Sequence, residues 1–268
     1  MGPRVPETEA HEKCRQYMVT EMKKWCDNVY EQPFEHKWSQ TGKTMKMQNV
    51  IGEQNWKNSS IRVLIVTHWD SRPTADQETD PVLKKQPISG ANDGASGVAI
   101  MLELMRVLKQ RAAPVGVMYL MTDGEDLGPK DDEMFLGAIK FAREQPLPRP
   151  TYGILLDMLG DKDLEVPMEQ NSVQAAPDLM KALYKHAKAV GLQDTFPAIQ
   201  KYNILDDHLA LNQIGGIPTI DLIDFDYPDW HKTTDTADKC SAESLGKVGK
   251  LLETWLQRLK PWRPGMGS

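Results

Sequence analysis

Cysteine is scarce in this chain: Cys14, Cys26 and Cys240 are the whole supply, and no Cys-x-x-Cys pair occurs. Cys14 and Cys26 fall on one predicted helix, about 18 Å apart at 1.5 Å per residue, so they cannot pair with each other while that helix is intact. Three isolated thiols leave the compartment open. Long apolar runs are also missing. None approaches the ~20 residues of a membrane span, which argues against a membrane partner. No charged-apolar-small leader opens the chain, so no signal peptide is visible. Met1-Gly-Pro3 and Gly265-Met-Gly-Ser268 read as added residues, which leaves an already removed export signal open. Basic charge is not in excess: 32 Lys and Arg stand against 38 Asp and Glu, a formal charge of −6. That argues against nucleic acid and anionic lipid, both of which need a basic face. Finally, no repeat, low-complexity tract or linker divides the 268 residues, so residues 1–268 read as one domain.

What is present is an alternation of short apolar runs and amphipathic stretches. Residues 7–28 read as a helix, with Cys14, Met18, Met22 and Trp25 at helical spacing. Strands are expected around Lys37–Gln40 and Met45–Ile51, and a buried one at Arg62–Thr67. Ser71–Ser89 is polar and Pro-bearing, hence a loop, and Gly94–Lys109 a helix. Then come a strand at Val115–Met121, a helix at Glu133–Glu144, a strand at Thr151–Leu156 and a helix at Ala175–Val190. A short helix at Asp207–Gln213, a strand at Ile217–Leu222 and a last helix at Ser241–Leu259 complete the series. That last helix opens on Ser241 and stops before Pro261. The alternation implies an α/β fold: a three-layer sandwich with a mostly parallel central sheet, an antiparallel edge hairpin and helices on both faces.

Ligands of open α/β sheets collect at the C-terminal ends of the parallel strands, and the polar residues fall there repeatedly. Thr67-His68-Trp69-Asp70 follows the first core strand, and Gly90-Ala-Asn-Asp93-Gly-Ala-Ser-Gly97 precedes the next helix. Thr122-Asp-Gly-Glu125-Asp126, Asp157-Met-Leu-Gly-Asp161, Asp206-Asp207-His208 and Tyr227-Pro-Asp-Trp230-His231 end later segments. One such Asp or His is more often a helix cap. Six clusters meeting at one sheet edge need a cation, and mixed His and carboxylate donors suit zinc. In the pair Glu125-Asp126 one carboxylate can bind metal while its neighbour stays free as a base.

In order and spacing these residues resemble the zinc aminopeptidase superfamily over about residues 45–257: His68-x-Asp70, Asn92-Asp93-Gly94 with Ser96-Gly97, Asp123-Gly-Glu125-Asp126, Leu156-Asp157 and a late His231. Three details are similar to its glutaminyl cyclase branch. Asp206-Asp207-His208 precedes Gly215-Gly-Ile-Pro218, Trp230 directly precedes His231, and Gly90–Asp93 runs into Met101-Leu-Glu-Leu104. The resemblance implies one Zn²⁺ on Asp93, Asp126 and His231, with Glu125 as general acid/base and Asp157 and Asp206 as its hydrogen-bond partners. Trp230 would wall the substrate pocket, with Ile204 and Tyr227. His68 and Asp157 correspond to residues that hold a second metal in di-zinc aminopeptidases. The implied substrates are peptides or proteins with N-terminal glutamine, converted to pyroglutamate with release of ammonia, zinc polarising the side-chain amide. A secreted or periplasmic setting is implied with it.

The chain departs from the family pattern in three ways. Glu-Glu is common where this sequence has Glu125-Asp126, and the shorter ligand must come about 1.5 Å closer, although Asp ligates zinc well. No Trp follows in Leu127–Glu133, and Cys is absent near Thr67 and Val98, where secreted animal enzymes carry a disulfide. The likeness is therefore to a bacterial-type relative. A zinc aminopeptidase is the rival reading, distinguished by Asp206, Trp230 and the metal count. A non-catalytic binding domain is a third, which the intact Glu125 and ligand set speak against.

Overall fold

The computed structural model describes residues 2–259; the expectations for Met1, for Pro261 as a helix stop and for residues 265–268 lie outside them. Six strands form the main sheet: β1 (Asn28–Lys37), β2 (Thr44–Gln54), β3 (Arg62–His68), β4 (Gly116–Thr122), β5 (Tyr152–Asp157) and β8 (Thr219–Ile223). Two short strands, β6 (Met168–Glu169) and β7 (Gln200–Lys201), pair separately. The main order is β1-β2-β4-β3-β5-β8. β1–β2 and β2–β4 are antiparallel, and β4, β3, β5 and β8 run parallel. The helices are α1 (Glu9–Trp25), α2 (Ala95–Gln110), α3 (Leu136–Arg143), α4 (Gln170–Ala175), α5 (Pro177–Ala189), α6 (Asp207–Gln213) and α7 (Ala242–Arg258).

Side-chain alternation along the strands divides the interior into two layers. Val63 and Ile65 of β3 pack with Met18, Met101, Leu183 and Leu251, so α1, α2, α5 and α7 cover one face. Leu64 and Val66 pack with Phe141 and Leu211, so α3 and α6 cover the other. Both faces of β3 and β4 are buried, which explains their continuous apolar runs.

The largest correction concerns the first strand. It occupies residues 28–37, and the expected Lys37–Gln40 segment is mostly turn, where Trp38 N–H donates to Lys43 O at 2.9 Å. β1 is an edge strand with no fully buried residue and a proline, Pro33, in its middle. It therefore lacks the apolar run that marks a core strand. α1 ends at Trp25 rather than at residue 28, because the chain turns extended at Cys26. The helix expected from Glu133 starts at Leu136, after a 3₁₀ turn over Asp131–Glu133. The helix expected over 175–190 is interrupted at Ala176. α4, capped by Glu169 through Asn171 N–H and Ser172 N–H, ends there, and Pro177 opens α5.

Candidate metal centre and substrate pocket

The site assembles at the C-terminal ends of β3, β4 and β5. His68 is the last residue of β3 and Asp157 the last of β5. The loop after β4 turns tightly through Gly124, whose φ is +67°; a Cβ there would stand 2.5 Å from Met47 Sδ. Asp70 holds this loop. Its two carboxylate oxygens accept the backbone N–H of Glu125 at 3.2 Å and of Asp126 at 3.1 Å. Asp93 stands just before α2, and its N–H and that of Asn92 donate to Asp235. His231 sits on the loop after β8 with φ +52°, a left-handed conformation uncommon outside glycine.

Asp93, Asp126 and His231 converge, with donor atoms within 4.8 Å of one another. His231 Nε2 lies 3.4 Å from Asp126 Oδ1 and 3.6 Å from Asp93 Oδ2. Asp93 Oδ2 and Asp126 Oδ2 are buried without hydrogen-bond partners. Orphaned buried carboxylate oxygens facing an imidazole nitrogen fit a cation with mixed N/O ligands, and zinc is such a cation. Each ligand also has an outer partner. Arg72 Nη1 donates to Asp126 Oδ1 at 2.9 Å, and Asp76 Oδ1 meets His231 Nδ1 at 3.0 Å. The second contact fixes the ring so that Nε2 faces inward.

The charges are mutually perturbed. Burial and the charge of Asp126 push the Asp93 carboxyl up to about 6. Burial opposes ionisation of Asp126 too, but the His231 charge and hydrogen bond, and then Arg72, hold it well below the usual carboxylate range. Burial lowers the His231 imidazole, yet Asp126 and Asp76 carry it up to about 10. Glu125 is driven well above the ordinary carboxylate value, first by burial and then by the charge of Asp126. A carboxyl so displaced is suited to proton transfer near neutrality.

A second grouping shares Asp93. His68 Nε2 lies 3.0 Å from Asp93 Oδ1 and 3.2 Å from Asp157 Oδ1. A third, Asp206, His208 and Asp221, lies under α6 and β8. A cavity of about 60 Å³ opens beside the first group. Glu125, Asp157 and Asp206 line it together with Ile204, Met134, Phe225 and Trp230. Trp230 stacks on His231, ring centroids 4.2 Å apart, and leans on Phe225 at 4.9 Å. Tyr227 is not in the lining. It is buried, and its hydroxyl donates to Asp235 at 2.9 Å, behind Asp93.

Sequence reasoning missed the outer partners Arg72, Asp76 and Asp235, which sit in segments read only as polar loops. It also missed Asp221. A visible signal existed there, because an aspartate inside the apolar run Thr219-Ile-Asp-Leu-Ile223 of a fully buried strand is costly without a partner.

Comparison with known proteins settles the lineage. The model of "Peptidase family M28" matches residues 49–256. The chain belongs to peptidase family M28. It has the aminopeptidase-like α/β fold. Among solved structures, the glutaminyl cyclase of Tannerella forsythia is 34% identical, with a TM-score of 0.92, covering 97% of this chain and 94% of that one. A Zn-dependent exopeptidase from Parabacteroides distasonis is 32% identical, with a TM-score of 0.92, covering 96% and 93%. A mouse glutaminyl-peptide cyclotransferase-like protein is 27% identical over 204 residues, 63% of this chain and 51% of that protein. The chain spans about half or less of the length of the curated relatives it matches. No helix among the described residues is long and apolar enough to cross a membrane.

Proposed function

We propose that the protein is a glutaminyl-peptide cyclotransferase, closing the N-terminal glutamine of peptides or proteins to pyroglutamate with loss of ammonia. The observation that carries this reading is the wall beside the metal-ligand group. There Glu125, Asp157 and Asp206 share one small cavity of about 60 Å³ with Trp230 and Ile204. Such a small space, walled by apolar side chains and three carboxyls, suits one unbranched side-chain amide. The likeness to the Tannerella cyclase supports the same reading.

Asp93, Asp126 and His231 would hold the zinc. When bound, it supplies Lewis-acid polarisation of the glutamine side-chain carbonyl. Glu125 takes a proton from the substrate α-amino nitrogen, which forms the new N–C bond at the side-chain amide carbon, Cδ. The Cδ–Nε bond then breaks, and Glu125 returns the proton to the departing ammonia. Asp157 and Asp206 line the cavity with Glu125 but make no hydrogen bond to it, contrary to expectation; the charge of Asp206 helps to keep its proton affinity high. Trp230 and Ile204 exclude water, the competing nucleophile. Tyr227 supports the pocket from behind, through Asp235. A secreted or periplasmic setting belongs to the same proposal.

A zinc aminopeptidase is the second reading, favoured by the contacts of His68 with Asp93 and Asp157, which gather a second ligand set. One experiment separates the two: ammonia release from a glutaminyl peptide, measured alongside zinc content. About one zinc per chain with stoichiometric ammonia and pyroglutamyl product supports the cyclase. Two metals with hydrolysis of the N-terminal peptide bond and no ammonia overturns it. In the active protein, Glu125→Gln should keep zinc while turnover falls about 10²–10⁴-fold, the usual contribution of a general base.

A further inference from the structure

The N-terminal segment lies before residue 49, where the family match begins, yet it reaches into the centre. Arg4 is buried, with 5% of its surface exposed. Its guanidinium donates Nε to Trp69 O, Nη1 to Ser89 O and Nη2 to Gly90 O, each at 2.7 Å. Longer contacts from Nη2 reach Asp70 O at 3.3 Å and Asp93 O at 3.4 Å. Its own backbone N–H donates to Ser71 Oγ at 2.8 Å. One side chain thus spans the loop of Asp70, which holds the Glu125-Asp126 backbone, and the loop of Asp93.

The neighbouring backbone is shaped for this contact. Gly90 has φ +62°, and a Cβ on it would stand 2.8 Å from Arg4 Nη2 and 2.8 Å from Asp93 O. The segment is anchored a second time. His11 Nε2 meets Asp123 Oδ1 at 2.9 Å, two residues before Glu125, and the ring stacks on Trp69 at 4.1 Å. Asp123 in turn accepts Gln48 N–H at 2.7 Å.

We propose that Arg4 is a positioning residue of the metal centre, a cross-brace that sets the spacing between the Asp93 loop and the Asp70 loop. A planar fork of five N–H donors spread over three nitrogens reaches the carbonyls of both stretches, more than the three donors of a single ammonium nitrogen can span. The brace acts on the ligand-bearing backbone and touches neither zinc nor substrate. It rests on Asp93 and Asp126 being ligands, and it holds whether the zinc serves cyclisation or hydrolysis.

The test is zinc affinity, read by chelator competition on full-length protein well below the melting temperature of each metal-free variant. Arg4→Ala should weaken zinc binding about 10–100-fold, the usual effect of losing an outer support. Arg4→Lys should stay weakened, and millimolar guanidinium chloride should restore Arg4→Ala towards wild type while ammonium chloride does not. Zinc affinity within twofold of wild type in Arg4→Ala overturns the proposal. If Arg4→Ala fails to fold, Arg4→Lys decides alone: wild-type affinity in that variant overturns the brace. Loss of zinc by both variants with no guanidinium rescue also counts against it, because the defect is then one of general folding. Asp126→Ala serves as control. If that variant keeps wild-type zinc affinity, the ligand assignment fails instead.

Discussion

Two groups of buried acidic residues lie side by side in this molecule and differ in their surroundings. Asp93, Asp126 and His231 stand on loops, and each has a partner behind it: Asp235 on the Asp93 backbone, Arg72 on Asp126, Asp76 on His231. Asp206, His208 and Asp221 stand on or beside α6 and β8. Both Asp221 oxygens are buried without hydrogen bonds, His208 Nε2 meets Glu169 Oε2 at 3.4 Å, and only Asp206 reaches the cavity. Carboxylates are dense in both places. Fuller outer support together with an open face favours the first as the metal centre we propose, because the supports fix ligand direction and the face admits substrate.

The strongest way to break this contrast is to remove one member of each group. Asp126→Ala leaves Arg72 without its buried partner and should bring zinc content and turnover to background. His208→Ala should leave zinc stoichiometry unchanged by elemental analysis. Zinc loss from the His208 variant would make the second group a metal centre too and erase the distinction. A smaller effect comes from the supports. Asp76→Asn keeps the ligand set but weakens the hold on the His231 ring, so zinc affinity should drop about 10–100-fold. An unchanged affinity would show that support is not what distinguishes the first group.

The gentlest test probes the closed group. Burial, and then the charges of Asp206 and Asp157, push the Asp221 carboxyl well above its ordinary value. The unfolded chain ionises first, so this residue's contribution to stability is lost as pH rises from the ordinary carboxylate range to its folded value. Each pH unit in which only the unfolded chain is ionised is worth about 1.4 kcal/mol. Asp221→Asn lacks this titration, so its stability relative to wild type should improve between about pH 4 and pH 7. Denaturant unfolding at both pH values measures it, and a relative stability that stays flat removes the idea that the closed group carries strain.

Much of this architecture was legible in the sequence because strongly periodic segments specify themselves. Val63–Val66 and Val117–Met121 are continuous apolar runs, as strands covered on both sides must be. α2 shows its buried face at Met101, Leu104, Met105 and Leu108. β1 escaped notice because an edge strand with one half-shielded face and Pro33 carries no such pattern. At the site, Asp93, Asp126 and His231 were singled out through the family resemblance, and the structure brings them together. Arg72, Asp76 and Asp235 were not, because an outer partner acts across 54, 155 and 142 residues of separation in the contacts it makes, with no local signature. Tyr227 was legible as a residue near the site, but its direction depends on the turn after β8.

Asp93 stands at the junction of the two ligand sets, one oxygen turned towards His231 and the other towards His68. A carboxylate divided this way makes occupancy of the two sets interdependent. A second ion on the His68 side would have to displace the imidazole from both Asp93 and Asp157 and draw electron density from a ligand already committed to the first. Metal titration should then show two unequal steps. Whether this centre takes one ion or two would then turn on how firmly a single imidazole is held, with no ligand added or lost.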